Sequence, residues 1–414
     1  MKGGVFMIVK EYIKRFEALG LGMFVHFGLY STHAKGEWAY GRSITPEEYT
    51  KLFDLFSPDE NWAEDIVLTA KSAGCRYITL TTRHHEGFSL YDTCGLSLYD
   101  APHSPAGRDL VLEFVNACNK HGIVPFFYHT LVDWHEKSYR EDFPKYLKYL
   151  RASVELLCKN YGKIGGFWFD GTWDRPDADW EEDELYSLIR KYQPEAMIIN
   201  NSGMSAHGAK GHHEIDSVTF ERGRPRTIHF DEGEKHVASE MCQVLGNYWG
   251  YAKRDFNYKS LPNIIEELCE CRRYRANYLL NVGPMENGKL RELDKAMLLT
   301  LGEWVDINNE AIYCPKPTDI LVEGREKEFL LRGDGCYYFF AFDLFMEGDA
   351  ELTKKRRFED YTYHFKLPEK IKEVKWLDNG ESVPYTQDGN EVSLVTAPQR
   401  YGEQLVVRVA KLEI

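Results

Sequence analysis

Short apolar segments alternate with amphipathic segments over the first three-quarters of the chain. The apolar segments are nearly continuous, as in strands buried on both faces of a parallel sheet, and they comprise residues 22–28, 76–82, 123–129, 164–170, 196–200 and 277–283. Two further strands can lie in residues 215–250, where the pattern is weak. Because eight strands fit this length better than an open doubly wound sheet, the pattern predicts an α/β fold with a TIM-type (β/α)8 barrel.

The segments between the strands carry apolar residues at helical spacing. In three of them a glycine follows the last apolar position, where helices commonly end. Their apolar positions are Trp62, Ile66, Ala70 and Ala73; Leu110, Phe114 and Ala117; and Leu147, Leu150, Val154 and Leu157. Strand, helix and glycine therefore recur as one unit, which is the repeat of a barrel.

The pattern changes near Pro315 and Pro317. From residue 318 onward apolar and polar positions alternate, and pairs typical of hairpin turns begin at Asp334, Asn379 and Asp388. We therefore predict two domains, a catalytic barrel in residues 1–315 and an antiparallel β-sandwich with an accessory or stabilising role in residues 318–414.

Composition and charge narrow the partners and the compartment. The 414 residues include 65 acidic and 51 basic side chains, a net charge of −14, so we expect neither nucleic acid nor an anionic membrane surface as a partner. Neither the dinucleotide-binding glycine motif nor the P-loop motif occurs. The apolar run Val5–Val9 is too short for a signal-peptide core, so we expect a cytoplasmic protein with reduced thiols.

Polar residues follow the apolar segments, at the end where barrel enzymes place their chemistry. Asp170 ends the fourth segment, so a carboxylate stands at a strand terminus as a candidate nucleophile or base. His26, His84 and His85 follow other strands. Imidazoles there can bind substrate hydroxyls, ligate a metal or be structural, and we favour the first.

The aromatic content points toward a sugar ligand. Aromatic residues make up 14% of the chain, and such side chains line pockets for ligands with apolar faces and polar edges. Glu37 and Trp38, in the loop after the first strand, pair a hydrogen-bond acceptor with an aromatic face. Glycoside cleavage also needs a second carboxylate, and spacing does not choose among Glu214, Glu221 and Glu240.

Six motifs occur in order between residues 20 and 313: GMFVHFGLYSTHAKGEW, TLTTRHHEGFSLYDT, TLVDWH, GFWFDG, SEMCQVLGNYWGY and NYLLNVGP. Together they resemble the α-L-fucosidases of glycoside hydrolase family 29. The resemblance implies a barrel followed by a β-sandwich, and hydrolysis of terminal α-L-fucose with retention of configuration, without a cofactor or a metal. Fucosylated oligosaccharides or glycoconjugates are then the expected substrates, and a homo-oligomer is left open.

The resemblance also implies roles for individual residues. It makes Asp170 the nucleophile, and it places around the fucose ring His26, Glu37, Trp38, His84, His85, Tyr128 and Trp168. His129 stands where the family usually has a second tyrosine and would alter one contact to the sugar or the aglycone. The arginine usual after the fifth strand is missing from residues 200–203, and Arg222 or Arg224 are candidates to replace it.

Two glutamates are the main candidates for the catalytic acid/base. Glu221, in Thr-Phe-Glu, resembles the Thr-x-Glu motif of some bacterial members, and Glu240, in Ser-Glu-Met-Cys, matches the Trp-Glu-Met-Cys glutamate of others. We prefer Glu221 because its motif is present, whereas Glu240 lacks the preceding tryptophan. Glu37 is a third option.

Two other function classes stay open at this level. A non-catalytic carbohydrate-binding barrel would keep the aromatic pocket without needing Asp170 and a second carboxylate. A metal-dependent hydrolase would use the cluster of His84 and His85 as ligands.

Overall fold

The computed structural model describes residues 8–345 and 359–414, which form two compact units. The first unit runs up to Lys259 and continues in Ala276–Leu299, and the second takes Ser260–Arg275 and the chain from Thr300 onward. The domain boundary expected between residues 315 and 318 stays a prediction. Most of the amino-terminal run that was weighed as a signal peptide, residues 5–7, lies outside the described residues.

A closed barrel of eight parallel strands forms the centre of the first unit. Six strands coincide with the predicted apolar segments, and the other two fall within residues 215–250. In chain order, β1 to β8 are Leu21–Val25, Tyr77–Arg83, Val124–Thr130, Gly166–Asp170, Met197–Asn200, Ser217–Thr219, Ala238–Val244 and Asn277–Val282. The predicted TIM-type barrel is confirmed.

Helices connect the barrel strands, and the three helices predicted from spacing are α4 (Trp62–Ser72), α5 (Leu110–His121) and α7 (Phe143–Asn160). Every apolar position predicted for these three is buried. In chain order, α1 to α11 are Glu11–Glu17, Leu29–His33, Pro46–Thr50, Trp62–Ser72, Leu110–His121, Ser138–Glu141, Phe143–Asn160, Glu182–Tyr192, Leu261–Arg273, Glu292–Ile307 and Asn309–Tyr313. Within the described ranges, no helix combines the length and the apolarity that a membrane span requires.

Aromatic side chains fill the interior of the barrel. Alternate residues of a strand point to the same face, and the inward positions include Phe24, Tyr77, Tyr128 and Trp168, all buried in one cluster. Burial of each such ring stabilises the fold by roughly 1.5–3 kcal/mol. Gly22 makes room for this packing, because a Cβ at that position would lie 2.3 Å from the Tyr77 ring.

Two antiparallel sheets form the second unit. In chain order, β9 to β16 are Lys316–Pro317, Phe329–Arg332, Cys336–Phe342, Tyr361–Lys366, Glu373–Trp376, Tyr385–Asp388, Glu391–Thr396 and Val407–Glu413. The strand orders of the two sheets are β13-β16-β11-β10-β9 and β12-β15-β14. Phe339 of β11 shares a buried cluster with Phe365 of β12 and Leu394 of β15. The inner faces of both sheets therefore meet in one core, as the predicted sandwich requires.

Candidate active site

Asp170, at the carboxyl end of β4, faces a pocket at the barrel mouth. The lining side chains come from strand ends and from the loops that follow them: Phe24, His26, Trp38, His84, His85, Tyr128, Trp168, Asp170, Trp173, Asn201, Glu221 and Trp249. Eight of the eleven residues predicted for the site are in this lining. The other three, Glu37, His129 and Glu240, lie outside it.

A sharp turn after β4 aims Asp170 into the pocket. Gly171 has a φ of +120°, a conformation that L side chains rarely adopt, and a Cβ there would lie 2.6 Å from a methyl carbon of Val132. Trp168 and Asp170 are two residues apart on one strand and therefore point to the same face. The strand and its turn thus present an aromatic ring and a carboxylate together.

Four side chains surround the carboxylate of Asp170. Its Oδ2 accepts a hydrogen bond from the Tyr128 hydroxyl at 3.1 Å and lies 3.4 Å from His85 Nε2. Its Oδ1 accepts from Trp173 Nε1 at 3.2 Å and from Asn201 Nδ2 at 3.3 Å. Burial by itself raises the pKa of Asp170, but the interactions with His85 and the hydrogen bonds from Asn201 and Trp173 outweigh burial, so the pKa is lowered. Asp170 is therefore ionised at neutral pH.

Glu221 reaches Asp170 through the amide of Asn201. Asn201 Nδ2 donates to Glu221 Oε2 at 2.7 Å and to Asp170 Oδ1 at 3.3 Å. Because one nitrogen makes both bonds, the two distances together limit the separation of these oxygens to about 6 Å. Burial, and then the charge of Asp170, raise the pKa of Glu221. The site thus pairs an ionised carboxylate with a carboxyl group that holds its proton more strongly.

Glu240 lies inside the barrel, beneath the pocket. Its Oε2 accepts from the Tyr77 hydroxyl at 2.6 Å, and its Oε1 accepts from Trp168 Nε1 at 2.8 Å. Burial raises the pKa of Glu240 to about 7. Because the Trp168 ring lines the pocket and Glu240 does not, Glu240 fixes the pocket floor from below.

Glu37 binds backbone rather than lining the pocket. Its Oε2 accepts from the N–H groups of Trp249 and Gly250 at 3.0 and 2.9 Å. These bonds hold the loop after β7, whose Trp249 ring lines the pocket. The adjacent Trp38 lies in the lining, with its ring 5.4 Å from the Trp173 ring. Glu37 therefore shapes the pocket wall through the loop that it holds.

His26 presents a hydrogen-bond acceptor to the pocket. Its Nδ1 lies 2.6 Å from Asn281 Oδ1, and Asn281 Nδ2 donates to the Trp249 carbonyl at 2.7 Å, which fixes the orientation of the amide. Nδ1 therefore carries the ring proton, and Nε2 keeps its lone pair. Burial lowers the pKa of His26 to about 3, so the ring is neutral.

The strand β3 determines what His85 and His129 contact. His85 Nδ1 lies 2.7 Å from Thr130 Oγ1, whose own proton goes to the Val132 carbonyl. The two ring nitrogens of His85 thus face Thr130 Oγ1 on one side and the Asp170 carboxylate on the other. His129 points the other way, because it follows Tyr128 directly on the strand, and its Nε2 lies 2.8 Å from an Arg83 nitrogen.

Four residues of the pocket lining were not predicted as site residues: Phe24, Asn201, Trp173 and Trp249. Asn201 and Trp173 each follow a strand closely, which is the only signal that the chain offers for them. The Arg222 guanidinium, a candidate for the missing arginine, lies over the Trp249 ring at 5.2 Å and donates to the Asn247 carbonyl.

Two carboxyl groups with lowered and raised pKa values, each with an oxygen bound to the same amide nitrogen and these oxygens at most about 6 Å apart, lie among aromatic rings at the carboxyl end of a TIM-type barrel. This arrangement defines a glycoside hydrolase. The family model described as alpha-L-fucosidase matches residues 8–310, and the chain belongs to this family. The predicted function, an α-L-fucosidase, is therefore confirmed, and it is favoured over the carbohydrate-binding and metal-dependent alternatives.

Curated relatives and solved structures agree with this assignment. The chain is 30% identical to the tissue alpha-L-fucosidase of Mus musculus, over 93% of this chain and 87% of that protein. It is similar to alpha-L-fucosidase isoenzyme 1 from Paenibacillus thiaminolyticus, with a TM-score of 0.80, 26% identity and coverage of 97% and 98%. It shares its fold with an alpha-L-fucosidase of Bacteroides thetaiotaomicron, solved as a trapped covalent intermediate, with a TM-score of 0.79, 24% identity and coverage of 100% and 98%.

Proposed function

We propose that the protein releases terminal α-L-fucose by a retaining double displacement. Asp170 attacks the anomeric carbon while Glu221 gives its proton to the leaving glycosidic oxygen, so the old C–O bond breaks as the bond to Asp170 forms. Glu221, now a carboxylate, then takes a proton from water, which attacks the same carbon and frees Asp170. The fucose leaves with its anomeric configuration retained.

The shared amide of Asn201 is the observation that carries this proposal. It holds Asp170 Oδ1 and Glu221 Oε2 at most about 6 Å apart. Retaining glycosidases separate their carboxyl groups by about 5–5.5 Å, whereas inverting enzymes leave roughly 6.5–9.5 Å for a water molecule. The divergent pKa values of Asp170 and Glu221 suit a nucleophile and an acid. The covalent intermediate trapped in the Bacteroides enzyme supports the same course.

The pocket also supports a fucosylated oligosaccharide or glycoconjugate as the substrate. Rings of Phe24, Trp168 and Trp249 supply apolar walls for the sugar faces and the methyl group of fucose, and the neutral His26 accepts from a hydroxyl. With a net charge of −14, neither nucleic acid nor an anionic membrane surface is part of the proposal. Self-association stays open within it.

Azide rescue of three variants on an aryl α-L-fucoside tests the proposed roles. Wild type should release the phenol, whereas binding without release would favour a carbohydrate-binding protein. In Asp170→Gly, azide should take the place of the nucleophile and give the inverted β-fucosyl azide. In Glu221→Ala, azide should attack the fucosyl-enzyme and give the α-fucosyl azide, because a good leaving group needs little acid assistance.

Glu240→Ala is the matched control for Glu221→Ala, since both variants replace a glutamate by the same residue. It should show no response to azide, because its carboxyl group lies beneath Trp168 and not in the pocket. Rescue of Glu240→Ala without rescue of Glu221→Ala would reverse the assignment of the acid/base.

A further inference from the structure

Glu86 and His84 form a buried pair of polar groups behind the pocket. Glu86 is 1% exposed and His84 is 4% exposed. Within the described part of the chain, three of their atoms have no hydrogen-bond partner: both carboxyl oxygens of Glu86 and Nδ1 of His84. Nδ1 and Glu86 Oε2 lie 3.6 Å apart. Two groups that nothing else satisfies therefore face each other, and a shift of about 0.8 Å would join them at an ordinary hydrogen-bond length.

The proton in this pair lies on Glu86. A buried carboxylate without donors is strongly unfavourable, so the carboxyl group takes up a proton instead. Burial, together with the charge of Asp133, raises the pKa of Glu86 to about 8. Burial and the neighbouring His85 and His26 hold the pKa of His84 well below its usual value, so this ring is neutral. A neutral carboxyl group has one O–H to donate, and Nδ1 of a neutral imidazole accepts it.

We propose that Glu86 is a positioning residue, which donates a hydrogen bond to His84 Nδ1 and so holds the ring in the tautomer whose Nε2–H donates to a fucose hydroxyl. This inference rests on the proposed function, in which His84 borders the sugar. His84 lines the pocket and stacks on the Tyr128 ring at 5.5 Å and 12°, so its ring plane is fixed. Since His26 offers an acceptor, the two histidines present opposite hydrogen-bonding roles to the sugar.

Glu86 is the group in its surroundings that changes charge near pH 8. The other titratable groups around it come from the strands β2 and β3, from α2 and α3, and from loops, and they are Arg83, His84, Tyr128, Tyr30, Tyr40, Tyr49, Tyr99 and Asp133. Burial raises the pKa of each of these tyrosines, so they stay neutral. Arg83 keeps its charge beside Asp133, at 3.8 Å. Ionisation of Glu86 would remove its O–H, and His84 Nδ1 would then take the ring proton.

Glu86→Gln and Glu86→Met test the proposal, because both side chains match glutamate in length. The glutamine N–H still donates to Nδ1, whereas methionine has no donor. We expect Glu86→Gln to keep KM for an aryl fucoside within about threefold of wild type at pH 7, and Glu86→Met to raise it about tenfold with a smaller change in kcat. Above pH 8, KM should rise in wild type and stay level in Glu86→Gln.

The tautomer of His84 is the second readout, taken from 15N NMR of the ring nitrogens in the full-length protein. Wild type at pH 7 and Glu86→Gln should show a protonated Nε2, and wild type above pH 8 should lose this preference. Equal KM values for the two variants, or a wild-type ring protonated at Nδ1 at pH 7, would overturn the proposal. The wild-type spectra decide it even if Glu86→Met does not fold. A wild type that fails to cleave fucosides would refute the proposed function instead, while the spectra still report on Glu86.

Discussion

Replacing Asn201 by alanine should move the whole pH profile of the enzyme toward higher pH. The Asn201 amide is held in one orientation, because its Oδ1 accepts from the Thr219 hydroxyl and from the Gly203 N–H, both at 3.0 Å. Its Nδ2 therefore serves both carboxyl groups, Glu221 at 2.7 Å and Asp170 at 3.3 Å. Removing this donor disfavours the charged form of each group, so both pKa values rise.

The size of the effect follows from the strength of the lost bonds. A hydrogen bond to a charged group contributes about 1.5–3 kcal/mol, and one pKa unit corresponds to about 1.4 kcal/mol. Water replaces part of the bond to the partly exposed Glu221, so we expect its pKa, and with it the alkaline limb, to rise by about one unit. The acid limb should rise less, because Asp170 keeps Tyr128, His85 and Trp173. kcat/KM should fall about 10- to 100-fold, since Glu221 becomes a carboxylate in the transition state.

The assay is kcat/KM for an aryl α-L-fucoside as a function of pH, measured for Asn201→Ala beside Asn200→Ala. Asn200 is the matched control, because its amide turns away from the pocket and donates to Glu182 and to the Tyr186 hydroxyl. Its variant should leave both limbs in place. Limbs that stay fixed or move to lower pH in Asn201→Ala, or that move equally in both variants, would refute the shared-amide argument.

Three further outcomes are expected. Trp173→Phe removes the 3.2 Å hydrogen bond to Asp170, so the acid limb of the same profile should move to higher pH, and an unchanged limb would contradict the contact. Burial raises the pKa of Glu240 to about 7, so this carboxyl group binds more protons in the folded than in the unfolded protein, and the stability of the wild type falls as pH rises from 5 to 8. Glu240→Gln cannot titrate and should show less of this loss. The pH-dependent loss in the free energy of unfolding should differ between the two proteins by about 3 kcal/mol by linkage. Melting temperatures that fall equally with pH in both proteins would argue against it. Arg408 donates to Asp378 at 2.9 and 3.0 Å. Asp378→Ala leaves this buried guanidinium without its partner, so urea unfolding should show a loss of stability of about 3 kcal/mol. A loss below about 1 kcal/mol would be inconsistent with this pairing.

Most of the barrel was predictable because its strands are buried on both faces and read as unbroken apolar runs. The weak signal in residues 215–250 has two causes. β6 is only three residues long, Ser217–Thr219, and β7 carries Glu240 and Gln243, which break the apolar pattern although both are buried. Glu240 is tolerated there because Tyr77 and Trp168 both donate to it. A buried polar residue with partners from other strands cannot be foreseen from local pattern.

The site was predictable where a strand end fixes a side chain, and less so where distant contacts do. Asp170 follows directly from its place after a buried strand. Trp249 does not, because its loop is held by Glu37, which lies 212 positions earlier in the chain. The place of His129 could have been foreseen, since strand alternation turns it away from the side that Tyr128 faces.

The central claim is that Asp170 forms a covalent bond to fucose, and trapping tests it most directly. The enzyme would be incubated with a 2-fluoro-fucosyl fluoride, whose fluorine at C2 slows the second step, and then digested for peptide mass spectrometry. We predict one fluorofucosyl group per chain, on the peptide that contains Asp170. A label on another carboxylate, or no label in an enzyme that turns over fucosides, would contradict the mechanism.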